Sequence, residues 1–173
     1  MLPKNSSFLD MLLWNLVIVA VWHILFFILC IKLPTATFDA SKGRYVARPW
    51  EQGGRWYREN LKIQLWKDRL PQHIGKTGLS KKHFSDASIE YIDEFIMETC
   101  RGEWVHLNDC LCAVVLLLIN PLLVGLVLSF FVLLGNLPCA IVQRYNRFRL
   151  QALRKKMLRD LSSAKIGQKT VTA

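Results

Sequence analysis

The chain has 173 residues, of which 52% are hydrophobic, and it carries a formal net charge of +10. Its hydrophobic residues are gathered in two long blocks, a distribution more typical of a membrane protein than of a soluble core. The basic residues flank these blocks without any nucleic-acid recognition motif, so we expect no nucleic-acid partner. Five cysteines without a C-x-x-C pair predict neither a disulfide framework nor a zinc site.

The first apolar block covers residues 11–31, a length that matches the roughly 20 residues needed to cross a bilayer core. It exceeds the apolar region of about 7–15 residues in a signal peptide, so we predict a retained transmembrane helix. Leu33-Pro34 should end this helix, because proline removes a backbone donor. Asn15 and His23 are polar at membrane depth and are candidates for function. For Asn15 we favour a hydrogen bond to a neighbouring helix.

The polar middle of the chain, residues 32–103, mixes tryptophan and tyrosine with arginine and lysine. Such mixing suits the headgroup layer, where aromatic rings meet both phases and cations meet phosphates. We therefore predict an interfacial helix over residues 55–70, with a soluble aromatic-rich helix as the alternative. The next helix should begin near Ser85 or Asp86, since either side chain can cap it.

The second apolar block runs from Cys110 to Val142 and contains no charged residue and no histidine. As one helix it would measure about 50 Å against a hydrocarbon core of about 30 Å, so it must fold back. Asn120-Pro121 is the predicted break.

These patterns predict an all-α membrane protein with three transmembrane helices, over about residues 11–31, 104–119 and 122–142, and a cytoplasmic interfacial helical layer. We expect a single integral membrane domain over residues 1–150 and a basic, partly disordered tail over residues 151–173. The positive-inside rule places the polar middle and the C-terminus on the cytoplasmic side of the cell membrane.

A polar cluster lies where the chain meets the second apolar block. Helical spacing puts Glu103, His106 and Asp109 on one face, and a histidine beside carboxylates is a plausible general base. The alternative is a hydrogen-bonded cluster that steadies the helix. Bundles that bind metal through Glu-x-x-His need a second such motif, and the sequence has none, so we expect no metal.

The other polar motif begins directly after the second block, at Gln143. Arg144 and Arg147 could form a cationic pocket for phosphate or carboxylate groups, for which the guanidinium fork is suited. Positive-inside anchoring alone would also explain arginines at a helix end, but Tyr145 and Asn146 fit that explanation less well.

Four stretches of the chain together resemble the glycosyl-4,4'-diaponeurosporenoate acyltransferases of the staphyloxanthin-type carotenoid pathway. They are Leu33-Pro34 with Phe38; Trp50-Glu51-x-x-Gly54-Arg55-Trp56-Tyr57 with Trp66-Lys67; Glu98-Thr99-x-Arg101-x-Glu103-x-x-His106; and Asn136-x-Pro138 leading to Val142-Gln143-Arg144-Tyr145-Asn146-Arg147-x-Arg149-Leu150. The resemblance implies a small bacterial membrane protein that transfers a fatty acyl chain to a sugar hydroxyl of a glycosylated carotenoid. The chain departs from the pattern at Phe148, where proline is expected.

With this resemblance, we predict a membrane O-acyltransferase that acts on a glycosylated terpenoid or glycolipid. His106 would be the base, oriented by Glu103 or Asp109. The predicted substrate-binding residues are Arg101, Arg144, Tyr145, Asn146, Arg147 and Trp56. The acyl donor would be a co-substrate such as acyl-coenzyme A, with no tightly bound cofactor.

A non-catalytic membrane subunit that binds lipid or stabilises a complex is the rival. It is supported by the lack of a G-x-S-x-G or H-x-x-x-x-D motif. Membrane lipids are expected partners, and the sequence leaves open an oligomer or a partner protein.

Overall fold

The computed structural model describes residues 7–70 and 88–171, and every regular element in these ranges is helical. The α-helices are α1 (Phe8–Lys32), α2 (Arg55–Asn60), α3 (Ile89–Cys110), α4 (Cys112–Ile119) and α5 (Leu122–Val171). Short 3-10 helices cover Thr35–Phe38, Gly43–Tyr45, Pro49–Gly54, Ile63–Leu65 and Lys67–Arg69. The predicted all-α class is confirmed.

Three helical stretches among the described residues are long and apolar enough to cross a membrane: Phe8–Lys32, Ile89–Ile119 and Leu122–Ser163. The predicted number of transmembrane helices is confirmed. The second and third stretches are longer than predicted, because α3 starts well before the apolar block and α5 continues beyond it. Residues 151–171, predicted as a partly disordered tail, are helical within α5. The predicted domain division stays a prediction.

The helix ends follow local chemistry. Ser7 caps α1, since its Oγ accepts a hydrogen bond from the Asp10 backbone N–H at 3.1 Å and its own N–H donates to Asp10 Oδ2 at 2.9 Å. This reciprocal arrangement is a capping box. At the other end, Leu33 adopts an extended conformation directly before proline, which confirms the predicted stop.

The break in the second apolar block is also where it was predicted. Asn120 is extended and Pro121 separates α4 from α5. The predicted cap residues of the preceding helix, Ser85 and Asp86, lie outside the described residues. The described helix α3 starts at Ile89, and Ser88 Oγ accepts a hydrogen bond from the Tyr91 backbone N–H at 3.2 Å.

The predicted continuous helix over residues 55–70 is wrong. Helix α2 ends at Asn60, and the chain then forms two separate 3-10 helices. Lys62 has a φ of 48°, in the left-handed region that interrupts a right-handed helix. The indole N–H of Trp66 donates to the Leu61 carbonyl at 2.9 Å and so stabilises this turn.

The chain divides into two compact units. The first contains Met1–Thr37 and Arg101–Ile141, and the second contains Phe38–Cys100 and Val142–Ala173.

In the first unit, α1 exposes apolar side chains almost all round, and only Asn15 and Cys30 are buried. Such a surface fits contact with lipid rather than water. The Trp22 indole N–H donates to the Asn108 carbonyl at 3.1 Å, and this bond ties α1 to α3. Gly125 allows close helix packing, because a Cβ there would lie 3.0 Å from the Leu116 carbonyl oxygen.

In the second unit, Ile92, Ile96 and Leu150 form an apolar core. Gly54 lies against Phe148, the residue that stands where the family pattern expects proline. A Cβ at Gly54 would be 3.2 Å from Phe148 Cβ, and Gly54 has a φ of +94°. Glycine is therefore required at position 54 for two separate reasons, conformation and space.

Gly54→Ala should destabilise the protein more than Gly53→Ala. Both positions have positive φ, but a Cβ at Gly53 meets nothing within 4 Å. The left-handed conformation costs each alanine about 1–2 kcal/mol, and overpacking against Phe148 should add about 1–3 kcal/mol at Gly54 only. Thermal unfolding in detergent measures the difference, and equal melting temperatures for the two variants would contradict the packing described here.

Candidate active site

Four polar side chains from three apolar helices meet in the first unit: His23 on α1, His106 and Asp109 on α3, and Asn136 on α5. We refer to them as the polar quartet. Asp109 and Asn136 are buried, whereas the two histidines are partly exposed. Polar groups within spanning helices are costly and therefore mark functional sites.

Asn136 lies at the centre of the quartet. Its Nδ2 donates to the Val132 carbonyl oxygen at 3.1 Å and lies 3.1 Å from His23 Nε2. A carbonyl oxygen only accepts hydrogen bonds, so the contact with Val132 fixes which end of the amide is the NH₂ group. Asn136 Oδ1 consequently faces His106 Nδ1, at 3.0 Å.

This amide orientation assigns the tautomer of His106. Because Asn136 Oδ1 accepts, His106 Nδ1 must carry the proton, and in the neutral ring Nε2 is then the basic nitrogen. An asparagine side chain also orients the histidine of Cys-His-Asn sites. Here the bond from Nδ1–H leaves His106 Nε2 as the basic nitrogen.

Asp109 approaches the same ring nitrogen of His23 as Asn136 does. Its Oδ2 is 3.9 Å from His23 Nε2, and its buried Oδ1 has no hydrogen-bond partner among the described residues. Within those residues, no group of three His, Cys, Asp or Glu side chains is placed to hold a metal ion.

The quartet brings together two of the three predicted catalytic residues, His106 and Asp109. Glu103 is buried on the same helix. In the described hydrogen bond, His106 Nδ1–H donates to Oδ1 of Asn136, a residue that sequence reasoning did not assign to the site. In the sequence, Asn136 could have been noticed as a polar residue within an apolar block that has no charged residue. His23 was recognised as polar at membrane depth but was not connected to His106.

The predicted binding residue Arg144 lies in the second unit and is buried there. Its Nε and Nη2 donate to the two carboxylate oxygens of Glu51 at 2.6 and 2.7 Å. Nη1 donates to the Arg44 carbonyl at 2.6 Å, and Nη2 also donates to the Val46 carbonyl at 2.9 Å. Four N–H donors are thus used within the protein, and a substrate phosphate would have to displace them.

Glu51 is fully buried and accepts two further hydrogen bonds, from the Tyr57 hydroxyl at 2.6 Å and from the Arg48 backbone N–H at 2.7 Å. Burial alone would raise its pKa. The hydrogen bonds from Arg144, Tyr57 and Arg48 outweigh burial and lower the pKa of Glu51 from 4.5 to about 2. Burial and the bond to Glu51 raise the pKa of Tyr57. We refer to Arg144, Glu51 and Tyr57 as the Arg144 clamp.

Two other predicted binding residues of the second unit are also buried. Arg147 is completely inaccessible; its guanidinium lies 5.3 Å from the centre of the Tyr45 ring and 3.6 Å from Cys100 Sγ. The Tyr145 hydroxyl accepts a hydrogen bond from Gln64 Nε2 at 3.4 Å. These contacts hold the segment after α1 against α5 within this unit.

The remaining predicted binding residues are partly exposed. The Trp56 ring packs edge-on against Trp50, with ring centres 5.1 Å apart. Asn146 lies on α5 in the second unit, and Arg101 lies on α3 in the first unit. The structure therefore places Arg101 in the unit of His106, whereas the other binding residues belong to the second unit.

The fold and the quartet define a helical protein that has three helices suited to cross a membrane and a histidine held by asparagine among them. A family model described as glycosyl-4,4'-diaponeurosporenoate acyltransferase matches residues 41–156. The chain belongs to this family.

Relatives of that name occur in Staphylococcus aureus strains MRSA252 and USA300. Each is 28% identical to this chain over 124 residues, which cover 70% of this chain and 74% of the relative. No solved structure matches the chain. The resemblance seen in the sequence motifs is thereby confirmed at the level of the family.

The Arg144 clamp predicts a specific pH dependence of stability. The pKa of Glu51 is depressed in the folded protein, so its stabilising contribution is present above about pH 4.5 and is lost as the pH falls toward 2. Glu51→Gln leaves Arg144 as a buried unpaired charge and should cost about 3–5 kcal/mol at neutral pH. Unfolding in detergent at pH 7 and pH 3 should show a smaller difference from wild type at pH 3.

The exposed pair Arg55–Glu59, with 3.7 Å between its charged atoms, supplies a matched control. Glu59→Gln should change the free energy of unfolding by about 0–1 kcal/mol. A Glu51→Gln effect as small as this, or one that does not change between pH 7 and pH 3, would contradict the clamp.

Proposed function

We propose that this protein is a membrane O-acyltransferase that moves a fatty acyl chain from a thioester donor, such as acyl-coenzyme A, onto a sugar hydroxyl of a glycosylated carotenoid or related glycolipid. The family supplies the reaction class, since its members are named acyltransferases. The observation that carries the proposal is the hydrogen bond between His106 Nδ1 and Asn136 Oδ1, which leaves His106 Nε2 as a base.

The chemistry needs one group that both accepts and returns a proton. His106 Nε2 would take the hydroxyl proton while the hydroxyl oxygen attacks the thioester carbonyl carbon. When the C–S bond breaks, the proton on His106 would pass to the leaving thiolate. Asn136 would hold the ring in one orientation throughout, because the Nδ1–H···Oδ1 bond is present in the neutral and the charged ring alike.

The position of the quartet suits a lipid acceptor. Asn136 lies about 21 Å along α5 from Leu122, at 1.5 Å per residue. Within a hydrocarbon core of about 30 Å it therefore falls nearer the end of the span that is away from the Asn120-Pro121 turn. A carotenoid chain could remain among the exposed apolar side chains of the helices while its sugar reaches His106. The relatives' name specifies such an acceptor, a glycosylated diaponeurosporenoate.

Binding of the donor is assigned to Arg101, which is partly exposed in the same unit as His106. Arg144 and Arg147 are left out of this role because both are buried in contacts within the second unit. Asp109 is kept in the proposed site because it lies near His23. Glu103 is kept because it lies on α3 with His106. The cytoplasmic placement of the polar middle and C-terminus stays a prediction.

His106→Asn should abolish most acyl transfer and leave the fold intact. Asparagine keeps some hydrogen bonding but has no basic nitrogen, and general-base catalysis contributes about 10²–10⁴-fold. Transfer of a labelled acyl chain by purified protein should therefore fall by about two orders of magnitude or more. Glu103→Gln should cause a smaller loss.

The same substitution at His83, in the polar middle, provides the control and should leave activity unchanged. Melting temperatures in detergent, measured in parallel, should agree for His106→Asn, His83→Asn and wild type. Retention of most transfer activity by a folded His106→Asn protein would show that His106 is not the base.

A further inference from the structure

The quartet contains a second histidine, His23, that the proposed reaction does not use directly. His23 Nδ1 lies 2.8 Å from the Val19 carbonyl oxygen, four residues earlier on α1. Because that oxygen only accepts, Nδ1 carries a proton. His23 Nε2 lies 3.1 Å from Asn136 Nδ2, which is itself a donor, so Nε2 must accept and the ring must be neutral.

A directed series of hydrogen bonds thus crosses three helices. His23 Nδ1–H donates to Val19, Asn136 Nδ2–H donates to His23 Nε2, and His106 Nδ1–H donates to Asn136 Oδ1. The backbone carbonyls of Val19 and Val132 can only accept hydrogen bonds. This fixes which atom donates in each of the three bonds. His106 and His23 are therefore joined through the two ends of the Asn136 amide.

We propose that His23 is a positioning residue that sets the orientation of His106 through Asn136, and that protonation of His23 switches the site off. The proposal rests on the proposed function, since it describes how the base of that reaction is held.

A proton on His23 Nε2 would place two donors against each other, the Nε2–H and the Asn136 NH₂ group. The nearest other acceptor is Asp109 Oδ2, at 3.9 Å, and the second oxygen of that carboxylate is buried without a hydrogen-bond partner among the described residues. A charged His23 would therefore turn toward Asp109 and release Asn136. The Asn136 amide would then be held by Val132 alone, and it would hold the His106 ring less firmly.

Among the described residues, the groups that face His23 come from α3 and α5. From α3 they are the titratable side chains Asp109 and His106, and from α5 the facing group is the neutral Asn136.

The pH dependence of kcat separates this role from a merely structural one. In wild type, protonation of either histidine should stop catalysis, so the acid limb of log kcat against pH should approach a slope of about 2. His23→Gln keeps an acceptor near the Nε2 position but cannot be charged. It should retain kcat within severalfold at high pH and show an acid limb with a slope of about 1.

His23→Leu removes the acceptor altogether. We expect kcat to fall about tenfold at every pH while KM for the glycolipid acceptor stays unchanged, because His106 is misoriented but the binding surface remains. An acid limb of slope 2 in His23→Gln, or wild-type kcat in His23→Leu, would overturn the proposal.

A second readout does not depend on activity. In protein labelled with ¹⁵N-histidine, the His106 resonances, identified by their loss in His106→Asn, should report the Nδ1–H tautomer at neutral pH in wild type. They should move at the pH where His23 titrates, and that movement should be absent in His23→Gln. His106 resonances that titrate identically in wild type and His23→Gln would overturn the coupling. If wild type shows the coupling but transfers no acyl chain, the proposed function fails and the positioning role of His23 stands.

Discussion

A polar side chain within an apolar bundle needs a partner from another helix, because lipid offers neither donors nor acceptors. In the first unit, the amide and hydroxyl side chains of the second apolar block follow this constraint. Asn120 exchanges two hydrogen bonds with Asn15, at 2.7 and 2.9 Å, and the Ser129 hydroxyl donates to the Ala113 carbonyl at 2.7 Å. Asn136 joins His106 to His23. Each bond of this kind contributes only about 0.6 kcal/mol on average, so together they specify helix register more than they add stability. The register that they specify brings His106 into the quartet.

In the second unit, the buried polar groups that need partners are charged. A buried guanidinium is stable only if its donors are satisfied, and Arg144 finds both oxygens of Glu51 and two backbone carbonyls. Tyr57 completes the clamp. The run of Arg144 to Arg147, which by composition resembles a phosphate pocket, thus organises the segment between α1 and α2. At Arg144 and Arg147, the contacts that the structure describes are thus with other groups of this unit.

Much of the helical framework could be predicted from local pattern. The apolar lengths predicted three spans, Leu33-Pro34 predicted the end of α1, and Asn120-Pro121 predicted the break between α4 and α5. The prediction of a helix over residues 55–70 failed because a single residue in the left-handed conformation, Lys62, interrupts it. Amino-acid composition does not reveal such a residue. His106 could be predicted as a base because carboxylates lie near it along α3. Its partners Asn136 and His23 could not, because they come from other helices and carry no periodic signal. The burial of Arg147 could not be predicted either, because Cys100 and Tyr45, which contact it, are distant in the chain.

We propose that this chain alone performs acyl transfer through the quartet and is not an accessory subunit. Purified protein in lipid vesicles, supplied with a labelled acyl thioester and a glycosylated carotenoid, provides the decisive test. We expect a labelled ester on the sugar with no second polypeptide present, and release of the donor thiol in equal amount. Transfer that occurs only after another membrane protein is added, by a chain that is folded and inserted, would contradict it.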